Sequence, residues 1–187
     1  KFYLDSGQTF EVEMYLRQGD RGEMLVSNQL EDFELAENGV SKPAASLIGN
    51  KAHILMFLAP GEEPTEHVLN EMLTLQETLR RMDAGLCFVL QEGDIQRTAA
   101  WEKVLEAFPD GKVVCGVFDD IVEPLARRMY VDPEKLPLMI LVNPGLRGIF
   151  ACSGYRVGSV KLALDLLKVS KECESESESG FNESQLG

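Results

Sequence analysis

One uninterrupted apolar run constrains this chain more than any other feature of its sequence. Residues 52–59 read Ala-His-Ile-Leu-Met-Phe-Leu-Ala, and Pro60 and Gly61 end the run. A run of this length without polar alternation is typical of a strand in the centre of a sheet that is covered on both faces. Such a sheet needs helices on each side, so strands and helices should alternate along the chain.

The segments that follow the run do alternate between helical and strand patterns. Apolar side chains at helical spacing predict four helices, at residues 64–82, 101–108, 120–129 and 160–167. Short apolar runs predict further strands at residues 86–90, 113–118, 138–142 and 148–152. The order β-α-β-α-β-α-β-β-α predicts a mostly parallel sheet, helices on both faces, and one antiparallel edge from the terminal hairpin.

Two helix starts can be predicted from their first residues. Pro64 suits a first turn, where its missing N–H leaves no hydrogen bond unmade, and the carboxylates around it favour the positive end of the helix dipole. Asp120, with Glu123 three residues later, is typical of an N-cap. We therefore expect the third helix to begin after Asp120.

The two ends of the chain differ from its middle. Residues 9–16 alternate as a strand does, and we interpret residues 1–30 as an extended β segment that ends a preceding β-rich domain or linker. Residues 171–187 hold five Glu and one Lys with interleaved Ser, a composition typical of disorder. We expect one domain at 31–169, a disordered acidic tail at 170–187, and a chain that is a fragment of a longer protein.

The charge balance excludes several classes of function. With 18 Lys and Arg against 31 Asp and Glu, the net charge is -13. Binding to nucleic acid or to anionic lipid depends on basic side chains, so neither partner is expected. No apolar run approaches the ~20 residues that a membrane-spanning helix needs.

The cysteines and histidines predict no metal site, cofactor or disulfide framework. Cys87, Cys115 and Cys152 lie inside apolar runs and are expected to be small buried hydrophobes, while Cys173 lies in the acidic tail. No C-x-x-C pair exists, and the two histidines, His53 and His67, have no metal-ligand spacing with them. Free cysteines favour the reducing cytoplasm, and the compartment stays open.

A series of short motifs in this order resembles the thioredoxin-like fold, and in particular its redoxin branch. The motifs are Asp32-Phe33-Glu34-Leu35, Ser46-Leu47-Ile48-Gly49-Asn50-Lys51, Ile54 to Ala59, Phe118-Asp119, Leu136-Pro137 and Asn143-Pro144-Gly145. The resemblance covers residues 31–169. It implies a three-layer α/β fold with a mixed central sheet, helices on both faces, a C-terminal β-hairpin plus helix, and a cis peptide bond before Pro137.

The catalytic motif of the redoxins is missing from the segment that should carry it. Redoxins place a cysteine at the start of the helix after the first core strand, where the helix dipole favours the thiolate. The resemblance places a thioredoxin C-x-x-C on Glu62, Glu63, Pro64 and Thr65, and a peroxidatic cysteine on Glu63. We interpret these four positions as a degenerate active site, with no catalytic residue in this fragment.

A narrower resemblance concerns the parent protein. The segments Glu63 to Glu71, Leu125 to Pro137 and Ser153-Gly154-Tyr155 are similar to a redoxin-like domain at the C-terminal end of certain bacterial transglutaminase-like proteins. Transglutaminase-like chemistry needs a Cys-His-Asp arrangement, which this chain does not offer. The resemblance therefore implies that any such active site lies outside this fragment, in preceding domains of the same chain.

Three hypotheses of function follow. The first is a redox-inactive module for protein or peptide interaction, in which the family's cis-proline loop at Leu136 and Pro137 binds an extended peptide. The second is a thiol oxidoreductase that uses Cys87, Cys115 or Cys152. The third is a ligand-binding or metal-binding module at the helix start formed by Glu62, Glu63, Glu66 and His67.

Overall fold

A computed structural model of the chain describes residues 27–170. Ser27–Lys168 form one unit, and the second unit of the chain lies almost entirely outside the described residues. The predicted strand at residues 9–16 and the predicted tail at 171–187 also lie outside them. The predicted domain boundaries at 31 and 169 stay predictions.

Eight strands form a single mixed sheet within the described residues. They are β1 Asn28–Gln29, β2 Glu34–Glu37, β3 Val40–Pro43, β4 His53–Leu58, β5 Gly85–Gln91, β6 Lys112–Gly116, β7 Leu138–Asn143 and β8 Arg147–Ser153. Their order across the sheet is β1-β8-β7-β4-β5-β6-β2-β3. The helices are α1 Ala44–Ile48, α2 Glu63–Thr74, α3 Gln76–Arg81, α4 Ala99–Ala107, α5 Phe118–Arg128 and α6, residues 159–170.

Strand β4 is the centre of this sheet, as its uninterrupted apolar run predicts. All of its residues, His53–Leu58, are buried. It pairs in parallel with β5 and antiparallel with β7. The predicted strand buried on both faces is confirmed.

Helices cover both faces of the sheet, which confirms the layered α/β prediction. On one face the ring of Phe88 in β5 meets Trp101 of α4 edge to face at 5.4 Å, and α4 packs against α2. On the other face Phe57 of β4 meets Phe118 of α5 at 5.6 Å. Phe57 and its neighbour Met56, which pairs with Phe88, point to opposite faces because side chains alternate along a strand.

The prediction of a mostly parallel sheet was wrong. Within the described residues only two of the seven strand pairings, β4 with β5 and β5 with β6, are parallel. After α5 the chain returns across the sheet to place β7 antiparallel beside β4, and β2 and β3 add an antiparallel hairpin at the far side. The terminal hairpin is not the edge, because β1 pairs outside β8. Strand order along a sequence does not reveal which strands become neighbours.

The single helix predicted over residues 64–82 is two helices. Leu75, with φ −105° and ψ 15°, separates α2 from α3. Its N–H still donates to Glu71 O and Met72 O, so the apolar period runs through the break without a change in spacing. The hairpin of β2 and β3 was also not predicted, although Asn38 and Gly39 have the positive φ angles that a tight hairpin turn requires.

The predicted N-cap at Asp120 was wrong. Helix α5 begins at Phe118, and Asp120 lies in its first turn. The N–H of Phe118 donates to the side-chain Oε1 of Gln91 at 3.0 Å. A residue at the end of a neighbouring strand therefore satisfies the helix start, which a local capping pattern cannot reveal.

We predict that Gln91→Ala lowers the free energy of unfolding by about 0.5–2 kcal/mol, because it removes the acceptor for the first N–H of α5. Asp120→Ala removes only a charge from the first turn and should cost about 0.3–1 kcal/mol. Urea unfolding followed by circular dichroism measures both. A larger loss in Asp120→Ala than in Gln91→Ala would contradict this assignment of the cap.

Candidate functional site

The start of α2 carries the four positions at which redoxin cysteines were expected. The chain leaves β4 through residues 59–61, Glu62 is the N-cap, and Glu63 and Pro64 open the first turn. Both carboxylates are exposed. Thr65 is fully buried, and its Oγ1 accepts a hydrogen bond from the N–H of Ala59 at 3.0 Å. Two of the four positions therefore face solvent, and the fourth fastens the loop.

Glu66 serves the loop structure and is not a free ligand. Its Oε2 accepts hydrogen bonds from the N–H of Gly61 at 3.1 Å and from the hydroxyl of Thr98 at 3.0 Å. Thr98 is itself the N-cap of α4, where its Oγ1 accepts from the N–H of Trp101. One carboxylate thus holds the start of α2, the β4–α2 loop and the start of α4 together.

The loop before β7 lies next to the start of α2. Leu138 pairs with Phe57, so Pro137 lies beside the last residue of β4. The peptide bond between Leu136 and Pro137 is cis, which confirms that prediction. Pro137 is buried, and its carbonyl accepts from the N–H of Gly154 at 2.9 Å. Within residues 27–170 the backbone N–H and C=O of Leu136 make no hydrogen bond.

One stripe of α2 holds the segment between β8 and α6 in place. His67 stacks on Tyr155 with ring centroids 5.0 Å apart, and its Nε2 lies 3.5 Å from Glu63 Oε1. One turn further along, Glu71 Oε2 accepts from the N–H of Lys161 near the start of α6 at 3.3 Å. Glu63, His67 and Glu71 are four residues apart, so they share one face of the helix.

The sequence analysis named Glu63 and His67 but missed Glu71 and the contacts of this stripe with Tyr155 and Lys161. The spacing of four from His67 to Glu71 was the available signal. Tyr155 and Lys161 lie about ninety residues away from the stripe along the chain, and no pattern in the sequence links them to it.

The two histidines are not brought together. His53 lies at the opposite end of β4 from the start of α2, buried, with Nδ1 2.8 Å from Lys51 O. Burial lowers the pKa of His53 below 6.5. Among the described residues no three His, Cys, Asp or Glu side chains cluster closely enough to hold a metal ion.

The three described cysteines are free and far from one another. Cys115 in β6 and Cys152 in β8 are four strand spacings apart across the sheet, or about 19 Å. Cys115 pairs with Leu90 of β5, so these two side chains lie on the same face of the sheet. Cys87 is three residues before Leu90, an odd number, and therefore points to the other face. The prediction that all three are buried holds only for Cys87. Cys152 lies in the part of β8 that β1 does not pair with, at the sheet's edge, and Cys115 is half-buried in β6.

Two of these cysteines are held as neutral thiols. Burial raises the pKa of Cys87 to about 12, and burial together with the charge of Glu71 raises the pKa of Cys152 to about 11. Nearby cations oppose both shifts without cancelling them: Lys112 beside Cys87, and Arg156 beside Cys152. Since the thiolate is the nucleophile, neither residue is activated at neutral pH.

We predict that native Cys87 and Cys152 react slowly with iodoacetamide at pH 8, and about tenfold faster for each unit of pH up to pH 10. In the unfolded chain each titrates near 9.0, below its folded pKa. The unfolded state therefore loses these protons first, and stability falls as the pH rises above about 9. Peptide mapping by mass spectrometry measures labelling at each cysteine. Rapid native labelling of Cys152 at pH 7 would contradict the assignment.

We also predict that His67→Ala releases the segment that carries Tyr155. Loss of the stack should cost about 0.5–1.5 kcal/mol and raise amide hydrogen exchange in residues 154–158. His67→Phe is the matched control, because it keeps a stacking ring and removes only the exposed contact with Glu63, which contributes little. An equal rise in amide exchange in both variants would contradict the role of the ring stack in holding the segment.

Comparisons with known proteins find similar structures but no similar sequences. No protein-family model matches the chain, and no curated protein has a similar sequence. A SCO1/SenC family lipoprotein from Bacillus anthracis str. Ames superimposes with a TM-score of 0.55 at 13% identity, over 77% of this chain and 95% of the lipoprotein. The peroxidoxin BcpB from Mycobacterium tuberculosis gives 0.52 at 14% identity, over 79% and 98%. The chain has a thioredoxin-like fold.

A third structure supports the same conclusion about the thioredoxin-like fold. A thiol-disulfide oxidoreductase from Bacteroides fragilis NCTC 9343 gives a TM-score of 0.50 at 19% identity, over 74% of this chain and 98% of the oxidoreductase. The predicted fold class, a mixed sheet with helices on both faces and a terminal hairpin plus helix, is confirmed. In the described part of the chain no helix is long and apolar enough to cross a membrane.

Proposed function

We propose that this thioredoxin-like domain is a redox-inactive module that binds a protein partner or an extended peptide. One observation carries the proposal. Glu62 and Glu63 occupy the N-cap and first position of α2, where the redoxins need a thiolate. A carboxylate there neither exchanges disulfides nor reduces peroxides, although its charge suits the helix dipole.

Two of the three described cysteines support this proposal by their positions. Cys152 is two strands away from β4, in register with Met139 and Met56, and so lies back from the start of α2. Cys87 points to the face opposite to α2 and is fully enclosed. The pKa values of both thiols are raised, so neither offers the thiolate that the alternative of an atypical thiol oxidoreductase requires.

Binding of an extended peptide is supported by the backbone of Leu136. Its N–H and C=O are both without a partner among residues 27–170 and lie next to the buried Pro137. An added strand forms hydrogen bonds with such a backbone donor and acceptor on one residue. Leu136 and Pro137 thus remain the proposed peptide site.

We further propose that the domain belongs to a larger bacterial transglutaminase-like protein, whose catalytic residues would lie in preceding domains. The motif resemblance in residues 63–71 and 125–137 supports this origin. Sequencing the complete gene tests it directly, since a preceding domain with Cys, His and Asp in a transglutaminase-like arrangement is expected.

We predict that the wild-type chain shows no turnover of insulin disulfides with dithiothreitol as reductant, and none of hydrogen peroxide. Glu62→Cys/Thr65→Cys should gain insulin reduction, because it restores two thiols at the start of α2, where the helix dipole favours a thiolate. Glu62→Ser/Thr65→Ser is the matched control and should stay inactive.

Turnover by the wild type that disappears in Cys152→Ser or Cys115→Ser would contradict the proposal and favour the thiol oxidoreductase. A further outcome is that Glu62→Cys/Thr65→Cys keeps the wild-type circular dichroism spectrum and still gains no activity. That result would show that two thiols at these positions are not sufficient for disulfide reduction.

A further inference from the structure

We infer that the peptide bound at this site carries a basic side chain beside an apolar one. The inference rests on the proposed function and adds the chemical class of the partner. The surface concerned, called here the cis-proline surface, is formed by Leu136, Tyr155, Val157, Glu62 and Glu63.

A series of contacts connects the loop of Pro137 with Tyr155, His67 and Glu63. The carbonyl of Pro137 accepts from the N–H of Gly154, and the next residue, Tyr155, stacks on His67. His67 in turn contacts Glu63 at 3.5 Å, and the chain between Glu63 and the end of β4 leads back to the strand beside Pro137. A strand added at Leu136 would therefore lie between the start of α2 and the segment that carries Val157.

The charge of this surface is acidic on the side of α2. Each of the three neighbouring parallel strands is followed by two carboxylates: Glu62 and Glu63 after β4, Glu92 and Asp94 after β5, and Asp119 and Asp120 after β6. The carboxyl ends of parallel strands share one edge of a sheet, so these charges lie along one line. Among the described residues Glu62 has no ion pair, and the one basic side chain in these loops, Arg97, lies 3.5 Å from Glu102.

Basic residues border the surface at Leu136 and at Tyr155. Lys135 precedes Leu136 and lies near Gly154, and Arg156 follows Tyr155. The complementarity to a cation is therefore confined to the α2 side of the surface. A basic side chain of the bound strand is expected to point toward Glu62 and Glu63.

Two exposed apolar side chains lie in segments that neighbour the start of α2. Val157 is 92% exposed and Ile95 is 85% exposed, the two highest values among the large apolar residues described. The loop of Ile95 lies next to the β4–α2 loop, because a Cβ on Gly61 would be 3.6 Å from Gln96 Oε1. Apolar side chains beside unpaired backbone groups favour an apolar contact from the peptide as well as a charge.

The test uses three synthetic hexapeptides, Ac-Ser-Val-X-Val-X-Ser-NH2, in which X is Lys, Gln or Glu. Amide chemical-shift changes in the wild-type chain locate binding, and titration gives the affinity at about 50 mM salt. We expect the Lys peptide to shift the amides around Leu136 and Val157 and to bind about tenfold more tightly than the Gln peptide. The Glu peptide should bind more weakly than either.

Two charge variants test the role of the α2 carboxylates. Glu62→Gln/Glu63→Gln should reduce affinity for the Lys peptide about tenfold and leave affinity for the Gln peptide unchanged. Glu106→Gln/Asp110→Asn is the matched control, because it removes two exposed carboxylates at the opposite edge of the sheet. The control should bind the Lys peptide as the wild type does.

The outcomes separate this inference from the proposed function. Equal affinity for the three peptides, with shifts at Leu136, would overturn the basic class and leave peptide binding in place. Equal losses in both charge variants would also overturn it, since attraction would then come from net charge alone. No shift at Leu136 with any peptide up to about 1 mM would overturn both.

Discussion

The pairing of β4 between β5 and β7 is the constraint on which the rest of the structure depends. All six residues of this strand are buried. A polar side chain fits there only if it has a hydrogen-bond partner, as the buried His53 does. Because β4 is central, the loop that leaves it emerges in the middle of one edge of the sheet. The antiparallel neighbour β7 begins beside the same point, so Pro137 meets the start of α2. The register of the sheet therefore determines where the site lies, independently of the surface residues.

Side-chain hydrogen bonds and one ring stack complete the site on that frame. Glu66 and Thr65 fasten the β4–α2 loop from inside, while His67 and Glu71 hold the segment before α6 from outside. Glu66, His67 and Glu71 thus have structural partners, whereas Glu62 has no ion pair among the described residues and Glu63 contacts only His67 of the same helix. Glu62 and Glu63 are exposed to solvent at the start of α2. The fold around them is thioredoxin-like.

Whether a sequence-based prediction was confirmed depended on how far apart along the chain the interacting residues lie. The burial of β4, the identity of the other core strands and the acidic start of α2 could be read from short stretches, and the cis bond at Leu136–Pro137 was implied by the family resemblance. The break at Leu75, the cap of α5 by Gln91 and the partial exposure of Cys115 and Cys152 could not. Each of the latter depends on a strand or helix that is distant in sequence, or on an angle change that leaves the apolar period intact.

The sequence by itself determined the layers of this protein and the absence of a thiolate at the start of α2. Apolar periodicity sets which segments are buried, and residue identity sets what chemistry a position can perform. Only the tertiary structure decided that Pro137, Tyr155 and Glu63 surround one surface, and that two strand pairings alone are parallel. Those arrangements arise from the crossover after α5 and from contacts between residues up to about ninety positions apart. Local patterns carry no information about them, because the free energy of such contacts exists only once the chain is folded.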